Sequence, residues 1–452
     1  MILLFILALL LYYKGEKISS LLLFIGFVTD AYQLIPFSLI ELGFGLKSYD
    51  YGLAYAFCVL LINQLLLRRI PHYGLNRVVQ LFLVYLIGTI LYSHYMQSIG
   101  WGDALRSSRI YFLFLTPVLF ADLTIDQYLR LRDRLLQVTL FVSTLFILQS
   151  LLQIQILNGY IGGEIVSLGF MNVMRCYNLP YLGIYFFFYV MFNKEIQGRS
   201  KVIQLIILGL PIFLCFHRSL LVAVAFTVIF LLYVTQESFL KRFKHVMLSI
   251  MIAAPMSVIA AGFFAERGGI QDIINVINGN FQEVDYVEEL AGQTFLFRIA
   301  HLYERTMYII EQPMTTFFGA GWVHEDSPYT VNKFDFMIGL RDESTGDIAQ
   351  VDTSDISWSP LILRLGFVGT ILYVIFTLYI FKIAYKRRYQ LSGATVVGTM
   401  VVMAITSITG VMYIVPAYFI LLLVDCIFML RMEQDDTLTV AQRAQNELQQ
   451  FR

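Results

Sequence analysis

The chain is a succession of apolar stretches, each long enough to cross a lipid bilayer as a helix. An α-helix satisfies its own backbone hydrogen bonds, so about 20 apolar residues can span the hydrocarbon core. Apolar residues make up 58% of the 452 residues and charged residues only 14%, well below the charged fraction of a soluble domain. The pattern predicts an all-α, polytopic helical membrane protein with about 13 transmembrane helices, within a range of about 12 to 14. The predicted spans are 1–13, 18–36, 51–67, 78–96, 105–121, 135–156, 177–192, 202–217, 219–235, 246–264, 361–381, 393–412 and 414–430.

Lysine and arginine in the short loops set the predicted orientation, because cytoplasmic loops are enriched in both residues. Basic clusters fall on every second loop, and Arg431 follows the last span. These loops are predicted to be cytoplasmic, with the N-terminus outside and the C-terminal tail inside. The stretch 1–13 precedes its lysines, the reverse of the order in a signal peptide, and is interpreted as a retained helix. The clusters are Lys14/Lys17, Arg68/Arg69/Arg77, Arg130/Arg132/Arg134, Lys194/Arg199/Lys201, Lys241/Arg242/Lys244 and Lys382/Lys386/Arg387/Arg388.

A long polar interruption divides this single membrane domain into four regions. Residues 1–264 hold predicted transmembrane helices 1 to 10, 265–360 an outer-face loop, 361–430 helices 11 to 13, and 431–452 a cytoplasmic tail. Within the loop, isoleucines 270, 273, 274 and 277 have the spacing of a short amphipathic helix. A second helix is predicted from Thr294 to Glu311, before Pro313. The loop carries 16 acidic and five basic residues, which argues against a nucleic-acid surface.

The basic residues on the predicted outer face are mostly arginines. Because the positive-inside rule depletes lysine and arginine alike, this bias needs a separate cause. Arginine presents a planar fork that binds phosphate at two points, whereas lysine is a hydrated point charge. A phosphate-bearing ligand on the outer side is therefore predicted. The set comprises Arg106, Arg109, Arg175, Arg218, Arg267, Arg298, Arg305, Arg341 and Arg364, against Lys47 and Lys333.

Several of these arginines have informative positions. Arg106 and Arg109 are one turn apart at the predicted outer start of a span, where the helix N-terminus would add positive charge. Arg218 lies in a turn between two short apolar stretches, at or just above membrane depth. It is predicted to bind ligand, with snorkelling to lipid headgroups or pairing with a structural carboxylate as the alternative.

The second outer helix carries a cationic stripe. Arg298, His301 and Arg305 fall within about 60° of one another on a helical wheel. The stripe faces either a ligand or bulk solvent, and the sequence leaves both open. The acid or base candidates near these arginines are Asp352, Asp355, His301, Glu304 and His324. Asp355 stands six residues before the span at 361, which places it near the membrane surface.

Several common chemical motifs are missing from the sequence. It has no GxxxxGK[ST] loop, no HExxH or paired Cys/His zinc spacing, and no GxSxG elbow. The four cysteines lie in or beside apolar spans without CxxC spacing. No metal site and no cofactor are predicted, and arginines are the natural groups to stabilise a diphosphate without metal.

Three motifs carry a resemblance to a known family. They are the turn 216–220 (FHRSL), the helix segment 297–302 (FRIAHL) with Pro313 and 318–322 (FGAGW), and the run from Asp355 through Gly366 to Gly369. These resemble motifs of the bacterial O-antigen polymerase (Wzy) and O-antigen ligase superfamily, integral membrane glycosyltransferases of the GT-C type. The ligases have a histidine where this chain has Asp355, which favours the polymerase.

The resemblance implies transfer of a growing glycan on the outer face of the bacterial inner membrane. The donor would be the chain on polyprenyl diphosphate, and the acceptor a repeat unit on the same carrier. Asp355 or His301 would deprotonate or orient the acceptor hydroxyl. The implied partners are polyprenyl-diphosphate-linked oligosaccharides, membrane lipids and a chain-length-regulating co-polymerase. The residues implied to hold the diphosphate or substrate are Arg218, Arg298, Arg305, Arg106, Arg109 and Arg175.

Other functions remain open on the sequence alone. Within the same class, a ligase would move the glycan to a lipid A core or another acceptor. From a different class, a flippase of lipid-linked oligosaccharide would require charges buried within the spans, and Asp30 and Asp425 are the main ones. A scaffold protein is a further alternative.

Overall fold

The computed structural model describes residues 1–41, 46–65, 76–159, 163–167, 169, 171–235, 294–339, 348–353 and 355–432. The amphipathic helix predicted at 270–277, the span predicted at 246–264 and the tail from 433 lie outside these residues. The described chain is mostly helical, as the apolar periodicity predicts. Its helices are α1 Ile2–Tyr13, α2 Lys17–Val28, α3 Phe37–Glu41, α4 Ser48–Leu65, α5 Asn76–Tyr95, α6 Trp101–Ser108, α7 Ile125–Leu152, α8 Gly183–Phe192, α9 Gly198–Leu214, α10 Arg218–Val234, α11 Thr294–Ile310, α12 Pro313–Phe318, α13 Pro328–Lys333, α14 Trp358–Lys386, α15 Leu391–Thr406 and α16, 420–432.

Three of the described helices are long and apolar enough to cross a membrane: Arg77–Tyr95, Ile125–Leu152 and Trp358–Lys386. They overlap the spans predicted at 78–96, 135–156 and 361–381, although Ile125–Leu152 begins ten residues before its predicted span. The shorter apolar helices are α1, α2, α8, α10 and α15, which have 10 to 17 residues. These helices give the chain the character of a membrane protein, by length and composition.

Two predicted spans differ from the observed elements for backbone reasons. The span predicted at 18–36 ends at Val28, because four consecutive residues from Asp30 to Gln33 have positive φ and cannot continue a right-handed helix. The span predicted at 105–121 is divided: α6 ends at Ser108 and a 3₁₀-helix, Arg109–Phe120, follows it with Pro117 inside. The sequence pattern identified the apolar segments but not these changes of helix type.

One end of the helices, the polar end, is where three distant segments meet. They are the turn 215–217 between α9 and α10, residues 355–358 at the start of α14, and the turn 407–410 after α15. The backbone N–H of Ser357 donates to the carbonyl of Ser407 at 2.9 Å. Thr409 Oγ1 donates to Ser219 Oγ at 2.6 Å. These bonds fix three segments that lie up to 190 residues apart in the chain.

The opposite end, the basic end, is held together by arginines. Arg132 near the start of α7 donates to Ser392 Oγ at 3.1 Å, and Arg388 donates to the carbonyl of Val234 at 3.1 Å. Arg431 donates to the carbonyl of Ala121 at 2.8 Å. Residues from two of the basic sequence clusters and from the last helix therefore gather at the end opposite the 215–217 turn.

A short β-hairpin lies at the polar end and is absent from the sequence prediction. Strand β1, Ile165–Ser167, pairs antiparallel with β2, Asn172–Met174, in a register that matches Ile165 with Met174. Ser150 Oγ in the last turns of α7 donates to the Met174 carbonyl at 2.7 Å. The hairpin is thus attached to α7 and places Arg175, the next residue, beside the turn 215–217.

Candidate functional site

The cationic stripe of α11 faces the protein interior. His301 and Arg305 are fully buried, and Nδ1 of His301 lies 2.7 Å from Oγ of Ser359 on α14. The exposed face of α11 carries Tyr303, Met307 and Ile310 instead. The three stripe residues do share one side of the helix, but that side is packed, so of the three only Arg298 is part-exposed.

Arg305 is bonded within the protein. Its guanidinium donates to Glu304 at 2.6 Å and to the carbonyl of Gln350 at 3.1 Å. Glu304 in turn accepts hydrogen bonds from the backbone N–H groups of Met337 and Ile338, at 2.7 and 3.1 Å. Burial lowers the pKa of Arg305 to about 10 against the opposing charges of Glu304 and Glu325. The pair therefore ties Met337, Ile338 and Gln350 to α11, which is a structural use of the charge.

Arg298 and Asp355 form an ion pair at the polar end. Nη2 of Arg298 lies 3.4 Å from Oδ1 of Asp355, and the two side chains are 14% and 32% exposed. Asp355 precedes α14, and Ser357 Oγ anchors that segment by donating to the carbonyl of Gly410 at 2.6 Å. The carboxylate is held beside the cation and remains open to solvent on one side.

The turn 215–219 brings further polar groups to the same place. Nδ1 of His217 lies 2.9 Å from Oγ of Ser219, which accepts from Thr409. Phe216 has a φ of 48°, a left-handed conformation that side chains other than glycine adopt at a cost of about 1–3 kcal/mol. This turn reverses the chain so that Arg218 begins α10 in a half-buried position at the polar end.

Arg175 supports that turn from the hairpin side. Its Nε donates to the carbonyl of Cys215 at 3.3 Å and its Nη2 to the carbonyl of Phe216 at 3.4 Å. Nη1 donates to Glu164 at 3.0 Å, and the guanidinium lies 4.5 Å from the ring centre of Tyr177. These bonds to the carbonyls of Cys215 and Phe216 help to hold a turn whose backbone angles are unusual.

The electrostatics of His217 show that these segments form one cluster. Burial, followed by the positive charges of Arg298 and Arg175, lowers the pKa of His217 from 6.5 to about 4. The charge of Asp355 and a hydrogen bond with the Thr409 backbone oppose this shift. His217 is therefore neutral at physiological pH and lies within electrostatic reach of both arginines and the carboxylate. We call Arg175, His217, Arg298 and Asp355, together with Arg218, which follows His217 in the chain, the arginine cluster.

Arg106 and Arg109 pair with two different carboxylates, neither of which belongs to the arginine cluster. Arg106 is 3.6 Å from Asp326, with both side chains exposed, a kind of pair that stabilises little. Arg109 is 3.1 Å from Asp50 at the start of α4. The predicted helix N-terminus beside them is wrong, because α6 begins at Trp101 and Arg106 stands in its last turn. The carbonyl groups at that end of the helix attract a cation, so the position of Arg106 is explained by a local stabilising effect.

The glycines of the family-like motifs hold α14 against the 318–322 loop. Within α14, Gly366 has φ 63° and ψ −171°, a backbone conformation that is essentially restricted to glycine. A Cβ on Gly366 would clash with the backbone nitrogen of Gly319, and one on Gly319 would lie 2.6 Å from the backbone of Arg364. The N–H of Ala320 donates to the Leu363 carbonyl at 2.7 Å. The two motifs are therefore one packing unit that positions the first turns of α14.

Sequence reasoning missed three groups in or beside this cluster. His217 was noted only as part of the FHRSL turn, although its neighbour Arg218 was selected. Ser219 and Thr409 join the turn to the end of α15, and no local pattern marks Thr409. Among the described residues, no group of three or more His, Cys, Asp or Glu side chains is arranged to hold a metal ion.

The described residues thus define a mostly helical protein of membrane type with a cluster of arginines, a neutral histidine and one carboxylate at one end of its helices. No protein-family model matches the chain, and no curated protein matches it in sequence.

Proposed function

We propose that the protein is a polysaccharide polymerase of the O-antigen or capsule type. It transfers a growing glycan from polyprenyl diphosphate to a repeat unit on the same carrier. The observation that carries this proposal is the convergence of Arg175, Arg298 and a part-exposed carboxylate, Asp355, on the turn that carries His217 and Arg218, at one end of apolar helices. Cations of this kind stabilise a diphosphate leaving group, and the lipid carrier would lie in the membrane alongside.

The reaction assigns a different task to each member of the Arg298–Asp355 pair. The acceptor hydroxyl oxygen attacks the anomeric carbon of the donor as the bond from that carbon to the diphosphate oxygen breaks. The hydroxyl proton passes to Asp355. The electron pair of the broken bond stays on the diphosphate oxygen, and Arg298 and Arg218 stabilise the negative charge that develops there. The 3.4 Å ion pair is long and part-exposed, which supports an exchange in which the diphosphate replaces Asp355 on Arg298 and frees the carboxylate.

The structure favours Asp355 over His301 as the proton acceptor. His301 is fully buried, and its contact with Ser359 is internal. Burial, with a smaller effect from Arg305, lowers its pKa to about 3, so it carries no charge to offer a phosphate at neutral pH. Its role in this proposal is to fix Ser359, and hence the first turn of α14 behind Asp355.

We place the polar end outside the bacterial inner membrane and the basic end in the cytoplasm, in a chain of thirteen passes. Two observations support this orientation. Arg132, Arg388 and Arg431 gather at the basic end, in agreement with the positive-inside rule. The polar face of α11 is buried while Met307 and Ile310 are exposed, the reverse of a solvated helix and the pattern expected next to lipid.

A strain that lacks the protein tests the proposal by its products. A polymerase loss leaves surface glycan capped with single repeat units. Lipid-linked polymer without modified acceptor would instead identify a ligase, and repeat units retained on the cytoplasmic side would identify a flippase. Either of the last two results contradicts the polymerase. If the first is found, a chain-length-regulating co-polymerase is the partner to seek, because it would set the length of the polymer restored by complementation.

A further inference from the structure

A cavity of about 200 Å³ lies between α5 and α12, away from the arginine cluster. Its lining is largely aromatic and includes a glycine. A water-sized group occupies about 30 Å³, so the cavity has room for about seven such groups. The lining residues are Tyr85, Gly88, Thr89, Tyr92 and Phe318.

The cavity opens onto an apolar surface. Gly88 is exposed, and a Cβ added there meets nothing within 4 Å. On the same helix, which is a candidate membrane span, Val84 and Leu91 are exposed. Phe317 of α12, next to the cavity, is 53% exposed. The opening is therefore continuous with the part of α5 that would contact lipid.

The end of the cavity nearer the polar end carries polar groups. Gln97 Nε2 donates to the Tyr92 hydroxyl at 2.6 Å, and Lys333 Nζ lies 3.5 Å from Gln97 Oε1. The ammonium, amide and phenol at the mouth suit the phosphodiester of a lipid, and the apolar groove below them suits its acyl chain. The mouth is distinct from the arginine cluster, because Phe334, the residue after Lys333, packs on Tyr308 of α11 with ring centres 5.3 Å apart. Tyr308 lies about 15 Å along the helix from Arg298 at 1.5 Å per residue.

We propose that this groove binds one acyl chain of a membrane phospholipid, with the phosphodiester at the Lys333 end. The site is separate from the one that holds the glycan carrier. The bound chain would fill the space between α5 and α12, and since Tyr85 donates to the Leu365 carbonyl at 2.6 Å, it would support the region of α14 around Gly366.

Photocrosslinking in lipid nanodiscs tests the proposal. The full-length protein is reconstituted with phosphatidylglycerol that contains a trace of the same lipid with a diazirine on its acyl chain. Labelling of the α12 peptide is then measured relative to that of the exposed face of α5 around Leu81. The test variant is Gly88→Leu, whose added side chain would occupy the open space of the groove. The matched control is Gly102→Leu, another exposed helical glycine whose added Cβ meets nothing within 4 Å.

We expect labelling of α12 in the wild-type protein and in Gly102→Leu, and a loss of about tenfold in Gly88→Leu, since a filled cavity leaves no room for the chain. Equal relative labelling in Gly88→Leu and Gly102→Leu would overturn the proposal. Loss of α12 labelling on addition of polyprenyl phosphate, in an amount equimolar to the diazirine lipid, would also overturn it. The groove would then bind the isoprenoid carrier.

Discussion

At the scale of single residues, Asp355 differs from its neighbour Asp352 in the cation that each one faces. Asp355 pairs with Arg298 in the arginine cluster, whereas Asp352 is 51% exposed and pairs with Arg364 at 2.6 Å. We expect Asp355→Ala to lower polymer synthesis by about 10²–10⁴-fold, the usual effect of losing a general base, and Asp352→Ala to be milder. The measurement is glycan length and amount at matched levels of protein in the membrane. Equal defects in the two variants would count against Asp355 as the base.

His301 gives the protein a pH-dependent stability. Burial lowers its pKa from 6.5 to about 3, while in the unfolded chain it returns to the ordinary value. Unfolding therefore takes up a proton between about pH 6.5 and pH 3, so the stability from neutral His301 is complete above pH 6.5 and falls as the pH drops through this range. We expect the Tm of the wild-type protein to fall more steeply between pH 6.5 and pH 4 than that of His301→Gln. Parallel curves would contradict the assignment.

The sequence could identify residues whose type is unusual for the predicted outer face and whose position follows from a motif. Arg298, Arg218 and Asp355 follow from the excess of outer arginines and from the motif spacing. The structure pairs Arg298 with Asp355 and places Arg218 at the start of α10, next to His217. Arg305 could not be separated from Arg298, since a helical wheel places both on one face but does not say what covers each part of it. Buried Arg305 donates hydrogen bonds to the carboxylate of Glu304 and to the carbonyl of Gln350, which is 45 residues away in the chain.

At the scale of elements, the break in α14 at Gly366 aligns the start of the helix with the polar end. We expect Gly366→Ala to destabilise the folded protein by about 1–3 kcal/mol from backbone strain alone, plus the clash with Gly319. Gly209→Ala is the matched control, because a Cβ there makes an ordinary contact of 3.5 Å with Phe187. Thermal unfolding in nanodiscs measures both. Wild-type stability in Gly366→Ala would show that the backbone at this position is ordinary.

Element boundaries were predictable where a local chemical rule decides them. Pro313 ends the predicted second outer helix, and α11 does end at Ile310 with Pro313 in the first turn of α12. The start of α6 was misplaced because its first turn, from Trp101 to Ala104, is too polar to appear in an apolar window. The contact between the turns at 217–219 and 407–410 was invisible, since its hydrogen bond joins residues 190 positions apart.

At the scale of the whole molecule, the polar and basic ends should lie on opposite sides of the membrane. Asp326→Cys introduces a thiol near the polar end, at a position where the native side chain is 71% exposed. Gln390→Cys introduces one at an exposed position at the basic end. We expect a membrane-impermeant maleimide to label the first variant in intact cells and the second only after permeabilisation. The wild-type protein is the control, because Cys176, Cys215 and Cys426 are buried and Cys58 is half-buried. Labelling of both variants in intact cells would contradict the proposed topology.

The central claim is that the arginine cluster holds the diphosphate of a glycan donor. It is tested most directly by the surface glycan of strains whose only copy of the protein carries Arg298→Ala, Arg218→Ala or Arg106→Ala. Arg106 is the control, because it is an outer arginine whose partner, Asp326, lies outside the cluster. With equal protein in the membrane, we predict single repeat units from Arg298→Ala and Arg218→Ala, and full-length polymer from Arg106→Ala. Full-length polymer from Arg298→Ala would contradict the account.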